Sequence, residues 1–312
     1  MSMEETIIIG SGCAGWTAAI YLARAKLSPL LVTGTEPGGL LTTTTIVENY
    51  PGFPMGIQGP ELMEAMRKQA ERFGTRVRYL SVVTEVEFTQ KIKRVKIDEE
   101  WIETKSVVIA VGARPRKLSV PGEAELETKG VSYCATCDGA LPVFRNQPLV
   151  VVGGGDSACE EALYLTRFAS SVYLVHRRDT LRASPIMAER VFNEPRIKPI
   201  WNSAVEEILD HKQNKVTGVW LRNLKDGSKN FLECRGVFVA IGHVPNTQIF
   251  EGKLEMDERK LIKVFQGTKT TVPGVFACGD CVDGLYRQAV TAAGMGCMAA
   301  LDAERYLRGI EA

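Results

Sequence analysis

The sequence predicts an α/β fold of two three-layer domains, with the second domain inserted into the first. Two glycine-rich segments, beginning at Gly10 and Gly153, each follow an apolar run and precede residues at helical spacing. Two other apolar runs, 107–115 and 237–245, both end in glycine and then proline, which indicates that the chain leaves a domain there. These runs bracket the second glycine-rich segment, and 312 residues suffice for two domains of roughly 150 residues each.

Composition is that of an ordinary globular protein and excludes several functions. Apolar residues make up 45% of the chain and charged residues 24%, so extensive disorder is excluded. The net charge of +1 gives no basic excess for nucleic acid. The longest charge-free apolar stretch, 288–301, is shorter than the roughly 18–20 residues that span a bilayer, and residues 1–6 lack the basic segment of a secretory signal. We therefore expect a cytoplasmic protein that binds neither nucleic acid nor membrane.

The first glycine-rich segment is predicted to form a strand, a tight turn and a helix. Gly10 permits the turn, Gly12 lets the backbone approach a pyrophosphate, and Gly15 allows the helix to pack closely on the strand. The diphosphate would then lie on amides at the helix N-terminus. The pattern indicates a Rossmann-like domain that binds a dinucleotide.

The second glycine-rich segment repeats this pattern between Gly153 and Ala158, after an apolar strand at 148–152. A helix is predicted to follow over 159–168. Two such segments in one chain indicate either two bound dinucleotides or the two halves of a tandem enzyme.

The residues that follow each domain's next strand distinguish the two ligands. After the strand at 172–175, the sequence places His176, Arg177, Arg178 and Arg182 where an NAD site would have a carboxylate. Guanidinium groups bind phosphate bidentately, so the cluster favours the 2′-phosphate of NADPH over the alternative of a solvated basic rim.

In the first domain the strand at 30–32 is followed by Glu36, which could reach an adenosine ribose, and by no cationic cluster. This site is therefore predicted to bind a dinucleotide without a 2′-phosphate. These residues do not choose between FAD and NAD.

The predicted first domain is discontinuous and comprises 1–113 and 245–312, while the second comprises 114–244. Two short crossings that lie close together would act as a hinge. Residues 85–103 and 215–235 alternate apolar and charged side chains, which predicts antiparallel strands that cap each domain. The charged run at 91–100 is then the solvent-exposed face of a hairpin.

The C-terminal part of the chain is predicted to return to the first dinucleotide. A strand ends at Gly279 and Asp280, and the Asp280 carboxylate could bind a ribityl hydroxyl. A helix opens at 287–289 and reaches about residue 308. If its N-terminus faces the pyrimidine end of a flavin, it would stabilise the anion formed on reduction. The alternative is a closing helix without an electronic role.

Four of the eight cysteines form two Cys-x-x-Cys pairs, Cys134/Cys137 and Cys278/Cys281. Such a pair is more often catalytic or metal-binding than structural in a reducing compartment. The Cys134 and Cys137 sulfurs can form a disulfide within one turn, and the adjacent Asp138 could carry the proton that dithiol–disulfide exchange moves. A zinc ribbon would need its second pair about 15–20 residues away rather than about 140, and two inert thiols are the remaining alternative.

Seven segments carry a resemblance to a known family. They are GSGCAGWTAAIYLARA, TGTEPGGLLTTTTIVENYPGF, CATCDG, GGGDSACEEALYLT, HRRDTLRA, AIGHVPNT and GVFACGD with YRQAVTAAGMGCMAALDAERYL. In order and over nearly the whole chain, they resemble the bacterial low-molecular-weight NADPH-dependent thioredoxin reductases, which are class II pyridine nucleotide-disulfide oxidoreductases. CATCD combined with HRR-x-x-x-R is the most specific part of the match.

This resemblance implies FAD at the first site, a homodimer, and a rotation of the domains between two states. In one state NADPH reduces the flavin. In the other the flavin reduces the Cys134–Cys137 disulfide, and the dithiol then reduces thioredoxin. Cys137 would face the flavin, Cys134 would attack the thioredoxin disulfide, and Asp138 would act as acid and base.

The resemblance also implies cofactor contacts. Those to FAD are Gly10, Ser11, Gly12, Ala14, Gly15, Thr33, Gly34, Thr35, Glu36, Gly38, Gly39, Leu40, Asn49, Gly112, Gly279, Asp280, Arg287, Gln288 and Ala289. Those to NADPH are Gly154, Gly155, Asp156, Ser157, Ala158, His176, Arg177, Arg178, Arg182, Ile241, Gly242 and His243.

The sequence departs from the family at several positions. Cys13 stands where proline is usual, and Leu40 where glutamine is usual, so one polar contact on the flavin side is in question. Cys278 and Cys281 replace residues that are usually apolar. We interpret them as small buried side chains, and an auxiliary dithiol near the flavin is the alternative.

Two other functions remain open on the residues alone. One is a related flavoprotein that acts as a dithiol oxidase or takes electrons from another donor, which the intact HRR-x-x-x-R cluster argues against. The other is a zinc- or flavin-binding regulatory module whose cysteines sense oxidation.

Overall fold

The computed structural model describes residues 3–44, 46–89 and 92–310, and the chain divides into two compact units. Unit 1 comprises Met1–Arg114 and Val244–Ala312, and unit 2 comprises Pro115–His243. Residues 1–2 and 311–312, at the ends of the predicted first domain, lie outside the described residues. So does Lys91, the first residue of the predicted charged run. Within those residues, no helix is both long and apolar enough to cross a bilayer.

The elements are numbered in chain order. The helices are α1 (Cys13–Arg24), α2 (Gly59–Arg72), α3 (Ala135–Asp138), α4 (Asp156–Leu165), α5 (Pro185–Asn193) and α6 (Ala289–Leu307). The strands are β1 (Glu4–Ile9), β2 (Leu30–Val32), β3 (Ile46–Val47), β4 (Ile57–Gln58), β5 (Arg76–Arg78), β6 (Val83–Phe88), β7 (Lys93–Ile97), β8 (Glu100–Ile109), β9 (Ala113–Pro115), β10 (Val131–Ser132), β11 (Pro148–Val152), β12 (Ser171–Val175), β13 (Ile197–Ile200), β14 (Ser203–Ile208), β15 (Gly218–Asn223), β16 (Lys229–Glu233), β17 (Gly236–Val239), β18 (His243–Pro245) and β19 (Val275–Ala277). Short 3-10 turns lie at Gly39–Thr43, Pro142–Phe144, His211–Gln213, Gln248–Phe250 and Gly279–Cys281.

Unit 1 is built on a sheet in the order β5-β2-β1-β8-β7-β6, in which β19 also pairs with β8. Strands β5, β2, β1, β8 and β19 run parallel, and the register sets Ile9 beside Val32 and Ile109, and Ile109 beside Ala277. The carboxyl ends of these five strands therefore form one edge. The predicted antiparallel cap is confirmed, because β7 pairs antiparallel with β6 and with the first half of β8.

Alternate residues of β1 face opposite sides of the unit 1 sheet, as the pleat requires. Ile8 packs with α1, α2 and α6 in one cluster, whereas Ile7 and Ile9 pack with β6 and β7 in another. The unbroken apolar run of β1 is therefore explained by burial on both faces.

Unit 2 has the same layering. Its parallel sheet has the order β10-β17-β11-β12-β13, and a separate antiparallel sheet has the order β14-β15-β16. Leu149 and Val151 of β11 pack with α4 and α5, while Val150 and Val152 pack with the antiparallel strands. The predicted α/β class, with two three-layer domains, is confirmed.

Helix α4 begins and ends three residues earlier than its predicted bounds of 159 and 168. It begins at Asp156, directly after the glycine turn. It ends at Leu165, because the Arg167 and Phe168 amides donate to carbonyls three residues back, those of Tyr164 and Leu165, and so tighten the last turn.

Candidate functional site

The glycine turn of unit 1 is shaped by two close backbone approaches. A Cβ on Gly10, whose φ is +107°, would lie 2.3 Å from the Ala110 carbonyl oxygen, and one on Gly15 would lie 1.9 Å from the Gly10 carbonyl oxygen. At Gly12 a Cβ would meet nothing within 4 Å among the described residues. Packing therefore requires glycine at the two outer positions. The middle one, at the start of α1, faces open space and fits a pyrophosphate.

The glycine turn of unit 2 has the same geometry. A Cβ on Gly153 would lie 2.5 Å from the Ala240 carbonyl oxygen and 2.6 Å from the Ala158 Cβ, whereas one on Gly155 would meet nothing within 4 Å in the described part of the chain. Ala158 thus takes the place that Gly15 has in unit 1. Each unit consequently has an open backbone position at the start of a helix.

Ser11 ties the unit 1 turn to the segment that follows β2. Its hydroxyl donates to the Thr33 carbonyl at 3.1 Å and accepts from the Gly38 amide at 2.9 Å. A Cβ on Gly39 would lie 3.6 Å from the Gly12 Cα, so this segment runs along the open side of the turn. The other predicted contacts of the segment are Gly34, which is half-buried, and Thr35, Glu36 and Leu40, which are exposed.

The turn after β19 lies against the start of α1. A Cβ on Gly279 would lie 3.0 Å from the Ala14 Cβ. Burial, and then the Asp280 charge, raises the pKa of the Cys13 thiol to about 12. Burial, and then Asp283, raises the pKa of Asp280 itself to about 6, while Arg287 lowers it. A carboxyl with this pKa can both donate to and accept from a hydroxyl, which fits the predicted ribityl contact.

Helix α6 begins beside Asn49. The Asn49 side-chain amide donates to Gln288 Oε1 at 3.2 Å, and Gln288 caps the helix together with Thr291. Helix α6 then packs tightly on α1, since a Cβ on Gly296 would lie 2.1 Å from the Ala14 carbonyl oxygen. The contacts thus link the predicted FAD residues of the first turn, the loop after β2 and the segment from 279 to 289. Gly112, just beyond β8, accepts from the Asn246 amide at 3.0 Å.

In unit 2, the His176 ring packs against the glycine turn. It is buried at the end of β12, and a Cβ on Gly154 would lie 2.3 Å from its ring. The Arg182 amide donates to the Gly154 carbonyl at 2.6 Å. Burial lowers the His176 pKa, and the charges of Arg182, Arg178 and Arg177 lower it further. The imidazole is therefore neutral at pH 7, with three guanidinium groups close to it.

The three guanidinium groups are exposed, and no carboxylate of the described residues forms an ion pair with any of them. The buried His176 Nε2 has no hydrogen-bond partner in the described part of the structure. An unneutralised, exposed arginine cluster beside an open helix start fits the phosphates of a nucleotide.

Two other predicted NADPH positions are placed differently. The Asp156 carboxylate accepts from the Ser184 amide and hydroxyl at 2.9 and 2.8 Å, so its oxygen holds the loop before α5. Gly242 has a φ of +100°, and its carbonyl accepts from the Arg116 amide at 3.0 Å. Ile241 and His243 are half-buried on either side of it, and Ser157 is exposed at the start of α4.

Cys134 and Cys137 form a disulfide at the start of α3, with Cα atoms 5.3 Å apart. The Cys137 amide donates to the Cys134 Sγ at 3.2 Å, and both residues are half-buried. The pair is therefore held by the backbone of a four-residue helix and is reachable from solvent.

The Ser132 hydroxyl contacts both the Asp138 carboxyl and the backbone amide of Cys134. The Ser132 Oγ donates to the Asp138 Oδ2 at 2.6 Å and accepts from the Cys134 amide at 3.1 Å. Burial raises the pKa of Asp138, and the Ser132 hydrogen bond lowers it. A carboxyl that retains its proton to higher pH than usual, in contact with the segment that carries the sulfurs, can act as a general acid and base.

The second cysteine pair does not form a disulfide. Cys278 and Cys281 are both free and fully buried, and the Cys281 thiol donates to the Cys278 carbonyl at 3.2 Å. Burial raises the pKa of both thiols. They behave as small buried side chains, as do Cys159 and Cys234. Among the described residues, no group of His, Cys, Asp and Glu could hold a metal ion.

One residue of this region, Glu161 on α4, was missed by motif-based prediction. Burial raises its pKa to about 7 against the opposing effect of the Ala135 backbone, and its buried Oε2 has no hydrogen-bond partner among the described residues. Helical spacing could have found it. The buried α4 residues Ala158, Ala162 and Leu165 flank it at intervals of one to four, which places a carboxyl on the packed face.

Comparison with known proteins agrees with this geometry. The model of the family described as pyridine nucleotide-disulphide oxidoreductase matches residues 4–296. The chain is 52% identical over 308 residues to a thioredoxin reductase of Mycolicibacterium smegmatis, covering 98% of this chain and 97% of that protein.

Solved structures give the same result. The thioredoxin reductase of Giardia duodenalis superposes with a TM-score of 0.92 at 44% identity, covering 99% of this chain and all of that one. That of Streptococcus pyogenes gives 0.92 at 42% identity, covering 98% and 99%. The chain therefore belongs to the pyridine nucleotide-disulphide oxidoreductase family, among its thioredoxin reductases, and is a flavin- and nicotinamide-dependent oxidoreductase.

Proposed function

We propose that this protein is an NADPH-dependent thioredoxin reductase that uses FAD and the Cys134–Cys137 disulfide. The observation that carries the proposal is the disulfide itself, which is half-buried at the start of α3. The Ser132 hydroxyl joins the Cys134 amide to the half-buried Asp138 carboxyl. A disulfide beside a proton-holding group is what dithiol–disulfide exchange with a second protein requires.

The two cofactors are assigned from the charges at the two glycine turns. In unit 2, Arg177, Arg178 and Arg182 supply positive charge at the place where a ribose 2′-phosphate binds, which favours NADPH. In unit 1, the segment after β2 carries Glu36 and the turn after β19 carries the half-buried Asp280, which favour the hydroxyl-rich FAD. We accordingly assign unit 1 to FAD and unit 2 to NADPH.

When bound, the flavin supplies two-electron exchange between the nicotinamide and the disulfide. The protein's own residues carry out the thiol–disulfide exchange and the proton transfers. The Cys134 thiolate attacks the thioredoxin disulfide, and Asp138 gives its proton to the thioredoxin sulfur that leaves. The ionised Asp138 then takes the Cys137 thiol proton as Cys137 attacks the Cys134 sulfur, and passes it to the second thioredoxin sulfur as that sulfur leaves. This releases the dithiol form of thioredoxin and restores the Cys134–Cys137 bond. Two electrons and two protons pass to thioredoxin in each cycle.

Three further assignments belong to the proposal. The protein works in the cytoplasm, where thiols are kept reduced. It forms a homodimer, for which unit 1 offers exposed apolar side chains such as Met55, Leu285 and Tyr286. Its two domains, 1–113 with 245–312 and 114–244, rotate relative to each other between the two half-reactions, and the paired strands β9 and β18 are the segments that turn.

Rapid mixing tests the donor and the role of each residue. NADPH should bleach the flavin faster than NADH. Replacing Arg177 alone with Ala should raise the KM for NADPH about 10- to 150-fold while sparing NADH, because one lost charged hydrogen bond costs about 1.5–3 kcal/mol. Cys137→Ser should keep hydride uptake and lose thioredoxin reduction. No bleaching by NADPH, or thioredoxin turnover retained by Cys137→Ser, would overturn the proposal.

A further inference from the structure

The Ser132 hydroxyl has one proton and two acceptors within reach. Its Oγ lies 2.6 Å from the Asp138 Oδ2 and 3.4 Å from the Cys134 carbonyl oxygen, and a hydroxyl donates fully to only one acceptor at a time. The same Oγ accepts from the Cys134 amide at 3.1 Å. Ser132 is 4% exposed, so these three groups of the protein, rather than bulk water, are the partners of its hydroxyl.

The Asp138 carboxyl depends on this hydroxyl. Ser132 is the one hydrogen-bond donor that the described residues provide for the carboxyl oxygens. Burial raises the pKa of Asp138, and the Ser132 hydrogen bond lowers it. A carboxylate removed from water is costly to ionise unless a donor stabilises its charge, so the hydroxyl makes the ionised form accessible.

The same hydroxyl also suits the protonated form of Asp138. A hydroxyl oxygen accepts two hydrogen bonds, and the Cys134 amide uses only one of them. A protonated Asp138 can therefore donate its own O–H to the Ser132 Oγ. The Ser132 proton then turns to its second acceptor, the Cys134 carbonyl oxygen. Both forms of the carboxyl keep a hydrogen bond to Ser132.

The groups around the hydroxyl are held by regular structure. Ser132 is the last residue of β10 and lies opposite Phe238 of β17. Asp138 is the last residue of α3, and a Cβ on the following Gly139 would lie 2.8 Å from the Leu165 Cδ2 of α4. The hydroxyl can thus change its acceptor by rotation of its O–H bond while the surrounding heavy atoms stay in place.

We propose that Ser132 is a positioning residue whose hydroxyl turns between Asp138 and the Cys134 carbonyl, and so keeps Asp138 beside the redox segment in both its protonated and its ionised form. The Ser132 proton stays on its own oxygen throughout. The proton that Asp138 gains or loses is exchanged with the reacting sulfurs during turnover and with solvent in the resting enzyme. This inference rests on the proposed function, in which Asp138 alternates between the two forms.

The ionisable side chains near Asp138 are the same in every protein that the test compares. Strand β17, beside β10, carries none. Arg145 follows α3 and donates to the Ala140 carbonyl at 3.4 Å. The others are Tyr133, directly after β10, and Asp156, Cys159, Glu160, Glu161 and Tyr164 on α4, which packs on α3. Differences between the variants therefore report the Ser132 hydroxyl.

The first measurement titrates Asp138 in the flavin-containing enzyme with its disulfide intact. Infrared difference spectra between each protein and its Asp138→Asn counterpart follow the C=O stretch of the protonated carboxyl from about pH 3 to pH 9. Ser132→Ala removes the hydroxyl, and Ser132→Thr keeps one. Ser203→Ala is the matched control, because it removes a buried hydroxyl of unit 2 that donates to a backbone carbonyl, that of Trp201 at 2.8 Å.

We expect S132A to move the Asp138 midpoint up by about one unit, a tenfold fall in its acid dissociation constant, because the carboxylate loses a charged hydrogen bond. S132T and S203A should titrate with the wild type. An S132A midpoint equal to that of the wild type would overturn the inference. So would an S132T midpoint equal to that of S132A, because the hydroxyl would then have no effect.

The second measurement follows the Cys134 amide in the wild type. Tyr133–Cys134 is the one Tyr–Cys pair in the sequence, so labelling tyrosine with 13C at the carbonyl and cysteine with 15N selects a single amide signal in NMR spectra. If the hydroxyl turns when Asp138 gains a proton, this signal should shift with the Asp138 midpoint. In S132A the carboxyl should still titrate, but the amide should no longer follow it.

A Cys134 amide that stays constant while Asp138 titrates would overturn the inference even if no Ser132 variant folds. An amide that follows Asp138 equally in S132A would also overturn it. Neither measurement uses thioredoxin or NADPH, so these failures leave the proposed function intact. A wild type that gives both expected results but does not reduce thioredoxin would instead overturn the proposed function, and with it the role of Ser132 in the cycle.

Discussion

Asp138 unites two properties that a proton-transfer residue needs. Its carboxyl is buried, which raises its pKa, and it accepts the Ser132 hydroxyl at 2.6 Å, the same hydroxyl that contacts the Cys134 amide. We expect Asp138→Asn to keep flavin reduction by NADPH while lowering thioredoxin turnover about 10²- to 10⁴-fold, the usual contribution of a general acid and base. Stopped-flow absorbance and a coupled thioredoxin assay measure the two steps separately, and equal losses in both would contradict this role.

The same variant should also change how the stability of the protein depends on pH. Because the folded-state pKa of Asp138 is raised above that of the unfolded chain, its contribution to stability is fully present below about pH 3.9 and is lost as pH rises through the folded value. Asn has no charge to bury, so the Tm of Asp138→Asn minus that of the wild type should increase from pH 4 to pH 8. A difference that falls over this range would contradict burial as the cause of the shift.

At the residue scale, the sequence revealed the groups that belong to short fixed patterns. Cys134, Cys137 and Asp138 are contiguous in the chain, so the motif alone places them together. Glu161 lies on α4, which packs on α3 through a tertiary contact that no local motif encodes. Asp156 is the opposite case. It belongs to the glycine-turn motif, but its carboxylate accepts a hydrogen bond from Ser184.

At the scale of elements, different glycines of the same turn serve packing and ligand binding. Gly15→Ala would place a Cβ 1.9 Å from the Gly10 carbonyl oxygen, so we expect it to destabilise unit 1 by about 1–3 kcal/mol or more. Gly12→Ala meets no described atom within 4 Å and has an ordinary φ of −71°. It should keep the Tm of the flavin-free protein but lower bound FAD, because its methyl group occupies the pyrophosphate's approach.

Differential scanning fluorimetry of the flavin-free proteins and the ratio of bound flavin to protein distinguish the two effects. The result that would contradict the assignment is a Gly12→Ala protein with unchanged Tm and full flavin content.

The elements that sequence reasoning predicted are those with a strong local signal. Strand β1 is an isoleucine run that ends in a glycine turn, and β6–β7 alternate apolar and charged residues. Helix α3 has four residues, too few for a periodic pattern, and its end packs against Leu165 of α4 at Gly139, a tertiary contact that no local pattern predicts. The start of α4 was misplaced because its first turn, which directly follows the glycine turn, holds polar and small residues.

At the scale of the whole molecule, the chain passes between the two units twice. At these two crossings, each unit closes its own chain break with a backbone hydrogen bond. On the unit 1 side the Asn246 amide donates to the Gly112 carbonyl at 3.0 Å, and on the unit 2 side the Arg116 amide donates to the Gly242 carbonyl at 3.0 Å. Each unit also has two apolar clusters of its own, drawn entirely from its own residues. Neither unit depends on the other for a core, which is the condition for independent folding.

We therefore expect the units to be separable. Unit 1 with Pro115–His243 replaced by a short Gly-Ser linker should fold with bound FAD, because the linker needs only to join the ends that Gly112 and Asn246 already hold together. Unit 2 alone should bind a 2′,5′-ADP resin and keep the Cys134–Cys137 disulfide. Mixed, the two should not restore NADPH-dependent thioredoxin reduction, since the proposed electron transfer runs between sites on two units that are no longer covalently joined. A linked unit 1 that folds but lacks flavin, or a folded unit 2 that passes through the resin, would contradict the division of cofactors between the units.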